Sequence, residues 1–163
     1  MEKIDYDRIA SNSNLPPDPE ILTRAWCLEK TGITDIVGTR IATRLPQNPT
    51  LPFLVITNGG GTLLETSSQS AISSHSMIFN CYAGRWGGSG SKAEPDYTTA
   101  SNLAQAVFKE LFIESNNQVT TASGVKGWIY GFEIQSTPTR IEEPETLIAN
   151  FEIVALMTFR ASA

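Results

Sequence analysis

The sequence predicts an α+β fold: one mostly antiparallel or mixed sheet of about five strands with two helices packed on one face, in the order α-β-β-β-α-β-β. Three observations carry this. Ala100, Leu103, Ala104, Val107 and Leu111 recur at steps of three and four, which is the spacing of one helix face. Two long segments near the C-terminus alternate apolar and polar residues, which is the period of strands. The 163 residues, 40% hydrophobic and 18% charged, have globular proportions. A chain of that length buries roughly two-thirds of its unfolded surface in one core.

Taken in order, residues 1–17 end in Asn-Ser-Asn-Leu-Pro-Pro and read as a flexible arm, leaving residues 18–163 as one domain. Asp18 is placed to cap a helix with Pro19 at its first position. Ile21, Leu22, Ala25, Trp26 and Leu28 then mark a helix over 19–31 that Gly32 stops. Residues 36–45 read as a strand that Pro46 ends. Residues 52–57 are almost wholly apolar, as in a strand buried on both faces, and Gly59, Gly60 and Gly61 end it. A third strand over 71–83 would place His75, Met77, Phe79 and Cys81 on one face and Ser74, Ser76, Ile78 and Asn80 on the other.

A glycine-rich loop from Gly84 to Lys92 leads to the second helix, which Asp96 or Thr98 can cap. Asn116, Asn117 and Gln118 form a polar break. A strand over 125–135 follows, with Trp128, Tyr130, Phe132 and Ile134 on one face and most simply core. The last strand, 147–160, carries Phe151, Ile153, Ala155, Met157 and Phe159. The loop between them contains Pro138 and Pro144, so the two make a long antiparallel pair.

No catalytic spacing survives inspection. The Gly84 to Lys92 loop follows a strand and precedes a helix, the context of a phosphate cradle. A Walker A loop, however, needs Gly-Lys-Ser or Gly-Lys-Thr after a first glycine and four residues. Here Ser91 separates Gly90 from Lys92, Gly84 stands six residues ahead of Gly90, and Pro95 and Asp96 precede the helix. Gly59, Gly60 and Gly61 could form an anion nest but read as a mobile turn. His75, the only histidine, has serines on either side whose side chains would point to the opposite sheet face, so no triad follows. Cys27 and Cys81 lack CxxC spacing and read as free buried thiols. The acids Glu142, Glu143 and Glu145 share a proline-bearing loop that reads as solvated, so no metal and no cofactor is expected. Trp86, in the glycine-rich loop, either folds back on its own domain or docks into a partner.

A formal net charge of −5, with Arg40 and Arg44 the nearest thing to a basic run, leaves no footprint for wrapping nucleic acid. The N-terminus is charged where a signal peptide would be apolar. No stretch approaches the about 18 apolar residues of a membrane helix, so synthesis in the cytoplasm is expected.

The order of segments resembles the tail terminator, or tail-completion, proteins of long-tailed (siphovirus-type) bacteriophages. The stretches that carry the likeness are 36–46, 51–57 with its glycine turn, the long strand and amphipathic helix, 127–136 and 150–159. The resemblance implies a structural, non-enzymatic virion protein, assembled in the host cytoplasm. Such a protein forms a ring, usually a hexamer, on the head-proximal end of the tail tube, ends tail polymerisation and presents a surface for head joining. Its partners would be further copies of itself, the tail tube protein and the head-tail connector, with DNA passing through the lumen without sequence-specific binding; no membrane is involved.

Exposed edges and loops are the material for such contacts. The candidates are Gly59, Gly60 and Gly61 in the loop 59–70, Arg85, Trp86 and Lys92 in the loop 84–97, and Arg140, Glu142 and Glu143 in the loop 136–146. The acidic charge would keep phosphates off a lumen wall. The alternatives are another head-to-tail connector or minor tail protein, or a small anion- or nucleotide-binding enzyme using Gly84 to Lys92.

Overall fold

Asp18 caps the first helix as its position predicts: its Oδ1 accepts the backbone N–H groups of Glu20 (2.9 Å) and Ile21 (3.1 Å), with Pro19 at the first helical position. In the computed structural model, which describes residues 17–66, 71–85, 94–142 and 148–162, this helix, α1, spans Pro19–Leu28. Instead of continuing to residue 31 the chain turns into a second short helix, α2, Thr31–Val37. The predicted strand over 36–45 therefore shrinks to β1, Ile41–Ala42, because Ile36 and Val37 belong to α2 and Gly38, at φ 59°, turns the chain out of it. Gly32 sits inside α2, where a Cβ would lie 3.1 Å from the Glu110 carboxylate, so it marks close helix packing and not a helix stop.

β2 runs Phe53–Thr66 and β3 Ala71–Arg85. The three glycines do not end β2 but lie within it. Asn58 pairs with Met77 and Gly61 with His75, so Gly59 and Gly60 together oppose Ser76 in a bulge. Gly60, at φ 113°, takes a conformation that side chains disfavour. The start of β2 is buried on both faces as expected, with Phe53, Leu54, Val55 and Ile56 all in the interior.

Arg85 pairs with Glu94 in the two-residue β4, Glu94–Pro95, so the predicted loop 84–97 is paired at both of its ends. Helix α3, Tyr97–Ile113, is capped by Asp96, whose Oδ1 accepts the Thr99 N–H at 2.9 Å. It buries the five residues that its periodicity names: Ala100, Leu103, Ala104, Val107 and Leu111.

The polar stretch read as a break is a strand, β5, Ser115–Thr120, followed by β6, Lys126–Ile141, and β7, Ala149–Ala161. The sheet runs β1-β2-β3-β7-β6-β5, antiparallel throughout except for the parallel β1–β2 pair, with β4 added to β3.

A second bulge, between Ile129 and Gly131, reverses which residues of β6 face inward. Ile129 pairs with Phe159 on the core side. Past the bulge, Phe132 and Ile134 take that side, opposite Met157 and Ala155, while Trp128 pairs with Arg160 on the other face. Trp128, Tyr130, Phe132 and Ile134 thus do not share one face.

The helices close one face of the sheet. Leu22, Trp26 and Cys27 of α1, Ile33 and Val37 of α2 and the inner side of α3 form one core with Leu54, Ile56, Met77, Phe79, Cys81, Ile129, Ile153, Ala155, Met157 and Phe159. The fold is thus the predicted class, enlarged among the described residues by one helix and by the short strands.

Candidate functional site

The sequence candidates separate to opposite ends of the sheet. At one end, Cys81 of β3 lies in a row with Phe151 of β7 and Arg140 of β6; at the other, Gly61 of β2 lies in a row with His75, Met157 and Phe132. Six residues of β3 separate the two rows, about 20 Å at ~3.3 Å per residue.

At the first end, Arg140 belongs to β6 and not to a loop, since β6 extends to Ile141. Its guanidinium stacks 3.7 Å from the centre of the Tyr97 ring at the start of α3 and meets the Glu142 carboxylate at 3.2 Å. Behind it Tyr97 and Phe151 pack on a small cluster of Ala83, Ala100 and Ala149. Arg85 ends β3 at this same end, where it pairs with Glu94. Trp86, Lys92 and Glu143 lie outside the described residues.

At the second end, each glycine of the triplet has a different surrounding. A Cβ on Gly61 would fall 2.3 Å from the His75 ring, which lies directly over it; one on Gly59 would approach Ile78 to 3.2 Å; around Gly60 there is open space. The His75 ring faces Phe159 at 5.5 Å between centroids, and its Nδ1 lies 3.2 Å from Asn58 Oδ1. Burial pushes the imidazole below its ordinary pKa, with Asp18 opposing. The single histidine is thus a structural member of the bulge.

Both thiols are fully buried, and burial raises the pKa of each; for Cys27 the neighbouring Cys81 adds to the rise and Lys30 opposes it. Among the described residues no group of three His, Cys, Asp or Glu is arranged to hold a metal ion.

Sequence reasoning missed a polar centre that is largely buried. The Trp26 indole N–H donates to Glu114 Oε2 at 2.6 Å, and the Lys30 ammonium pairs with the same oxygen while lying 5.3 Å above the Trp26 ring. Trp26 also stacks on Phe132 at 4.7 Å. Burial alone would raise the Glu114 pKa, but hydrogen bonds from Lys30 and Trp26 outweigh it and hold the carboxyl below its ordinary value. Glu114 stands 88 positions from Trp26 and 84 from Lys30, so the grouping gave no local signal. The centre ties α1 to the end of α3.

The face of the sheet away from the helices mixes apolar residues such as Ile78, Val154 and Leu156 with polar pairs. Ser74 and Thr158 face each other at 3.5 Å, Ser76 donates to Gln135 at 3.1 Å, and Asn150 donates to Asn80 at 3.0 Å. No described helix is long and apolar enough to cross a membrane.

No protein-family model matches the chain, and no curated protein matches it. Among solved structures it is similar to a chain of the virion of the native gene transfer agent (GTA) particle, with 14% sequence identity and a TM-score of 0.53. The match covers 85% of this chain and 92% of that one, so nearly the whole described fold is shared; at that identity the likeness is one of fold.

Proposed function

We propose that the chain is a structural virion protein that forms a ring on the head-proximal end of a phage tail tube, stops tail polymerisation and offers a joining surface to the head. The observation that carries this reading is the fold likeness over most of both chains to a component of a virion. The order of segments that resembles tail terminators points to the same place. The two ends of the sheet, about 20 Å apart by strand rise, carry unlike surfaces: the Arg140–Glu142–Tyr97 group at one and the β2 bulge at the other. That polarity suits a piece set between two different partners.

The role is non-catalytic in this reading. His75 is taken up by the bulge and both thiols are buried. The acids Glu133 and Glu152 on the sheet face away from the helices suit a lumen wall that DNA passes without binding.

The test is to mix the purified chain with tail tubes and image the product by negative stain. Rings capping one end of tubes, with tubes no longer growing from that end, are expected. A chain that neither forms rings nor caps tubes overturns the reading, and rings that bind isolated heads but never tubes assign it to the connector instead.

A further inference from the structure

Among the described residues the most exposed large apolar side chains fall in two places. Leu63 and Leu64, 54% and 60% exposed, lie near the end of β2; Phe112 and Ile113, 74% and 61% exposed, end α3 just before β5. Ile21 on α1 and Tyr130 on β6 are the others. Strand pairing sets the two places at one level on opposite edges. Leu63 pairs with Ser73, Ser73 with Phe159, Phe159 with Ile129, and Ile129 with Asn117 of β5. This row crosses the sheet in four steps, about 19 Å at ~4.8 Å per strand. Phe159 and Ile129 are core residues, so the row belongs to the helix-covered face, and Leu63 lies on the side where α3 packs.

Among the described residues no strand pairs with either edge at that level. Along β2 the Leu54 N–H is taken by the Arg40 carbonyl, the Asn58 N–H by the Glu20 carboxylate and the Gly60 N–H by Asn58 Oδ1. Past Gly60 no described strand pairs with the outer side of β2, and β5 pairs only with β6. Four antiparallel steps separate β2 from β5, so the two edge strands run in the same direction.

We propose that the end of β2 in one copy of this chain docks beside β5 and the C-terminal turn of α3 in a second copy, with Leu63 and Leu64 covering Phe112 and Ile113. The occupant is a second copy because one chain carries both halves, at the same level, on the same face and in the same strand direction. A rotation that joins them once leaves a free half at each end of the pair and can repeat until it closes. Glu65 is exposed beside the leucines and Lys109 and Lys126, exposed near the receiving edge, have no ion pair among the described residues, while Glu29 accepts a hydrogen bond from Asn117 of β5 there. The inference rests on the homo-oligomer part of the reading above and not on where in a virion the ring sits.

The experiment uses the full chain in sedimentation velocity, with two double variants, L63D/L64D and F112D/I113D. All four positions are exposed, so circular dichroism and the melting temperature should stay as in the natural chain. Each variant alone should lose self-association by about tenfold or more. Mixed one to one, they should form a dimer and nothing larger, because each supplies the half the other keeps. Larger species should also appear as a disulfide ladder in oxidised Leu63→Cys/Phe112→Cys, the natural thiols being buried.

Assembly unchanged in either double variant, no dimer in the mixture, or a natural chain that stays monomeric overturns the interface. Rings that need these residues but never cap tail tubes leave the interface standing and overturn the tail-end reading.

Discussion

At the residue scale the polar centre of Trp26, Lys30 and Glu114 should show in the pH dependence of folding. The folded Glu114 carboxyl has the lower pKa, so its stabilisation is complete above the ordinary carboxylate value of 4.5 and is lost as pH falls through the folded value. Glu114→Gln, which removes the charge from a nearly buried hydrogen-bonded site, should cost about 1–3 kcal/mol at neutral pH and flatten the acid limb of a urea-midpoint-against-pH curve. His75 acts earlier on the same side. Its folded pKa is depressed, so the unfolded chain takes up the proton first, and stability begins to fall below the ordinary value of 6.5. His75→Gln should remove that upper part of the curve and leave the Glu114 part in place. Cys27 and Cys81 should resist alkylation in the native protein and react only at the rate of unfolding, as followed by mass spectrometry. Fast labelling without denaturant would contradict their burial.

At the element scale two bulges do what composition alone could not announce. The first passes β2 through its glycines: Gly61 leaves room for the His75 ring, and its replacement by alanine should cost about 1–3 kcal/mol through overpacking, measured by thermal melting. The second turns Trp128 away from the core while Phe132 and Ile134 turn in. α3 is the opposite case, since its five buried positions follow from local spacing and its cap, Asp96, is one of the two residues that spacing offers. Asp96→Ala should cost about 1 kcal/mol, read from the shift in melting temperature. An unchanged melt would mean that Thr98 or solvent serves the free N–H groups equally well.

At the scale of the whole molecule the helices close one sheet face and leave two edges, and the proposed assembly uses those edges and not a pocket. Of the candidate residues, the glycine triplet lies within a strand and not in a loop, and the far end of that strand carries the exposed leucines. Arg140 and Glu142 pair with each other at the other end and hold the start of α3. Leu63, Leu64, Phe112 and Ile113 were not legible in advance, since exposure of an apolar residue depends on which elements cover it and not on its own neighbours in the chain.

The sequence by itself determined the α+β class, the α1 cap, the inner side of α3 and the long β6–β7 pair, because caps and periodicity act over a few residues. Only the tertiary structure decided that polar residues 115–120 are an edge strand, that Gly59 to Gly61 continue β2 and that Glu114 meets Trp26 and Lys30. Each of those outcomes depends on a partner far away in the chain, and hydrogen bonds to a neighbouring strand can override weak local preference wherever the partner is already in place.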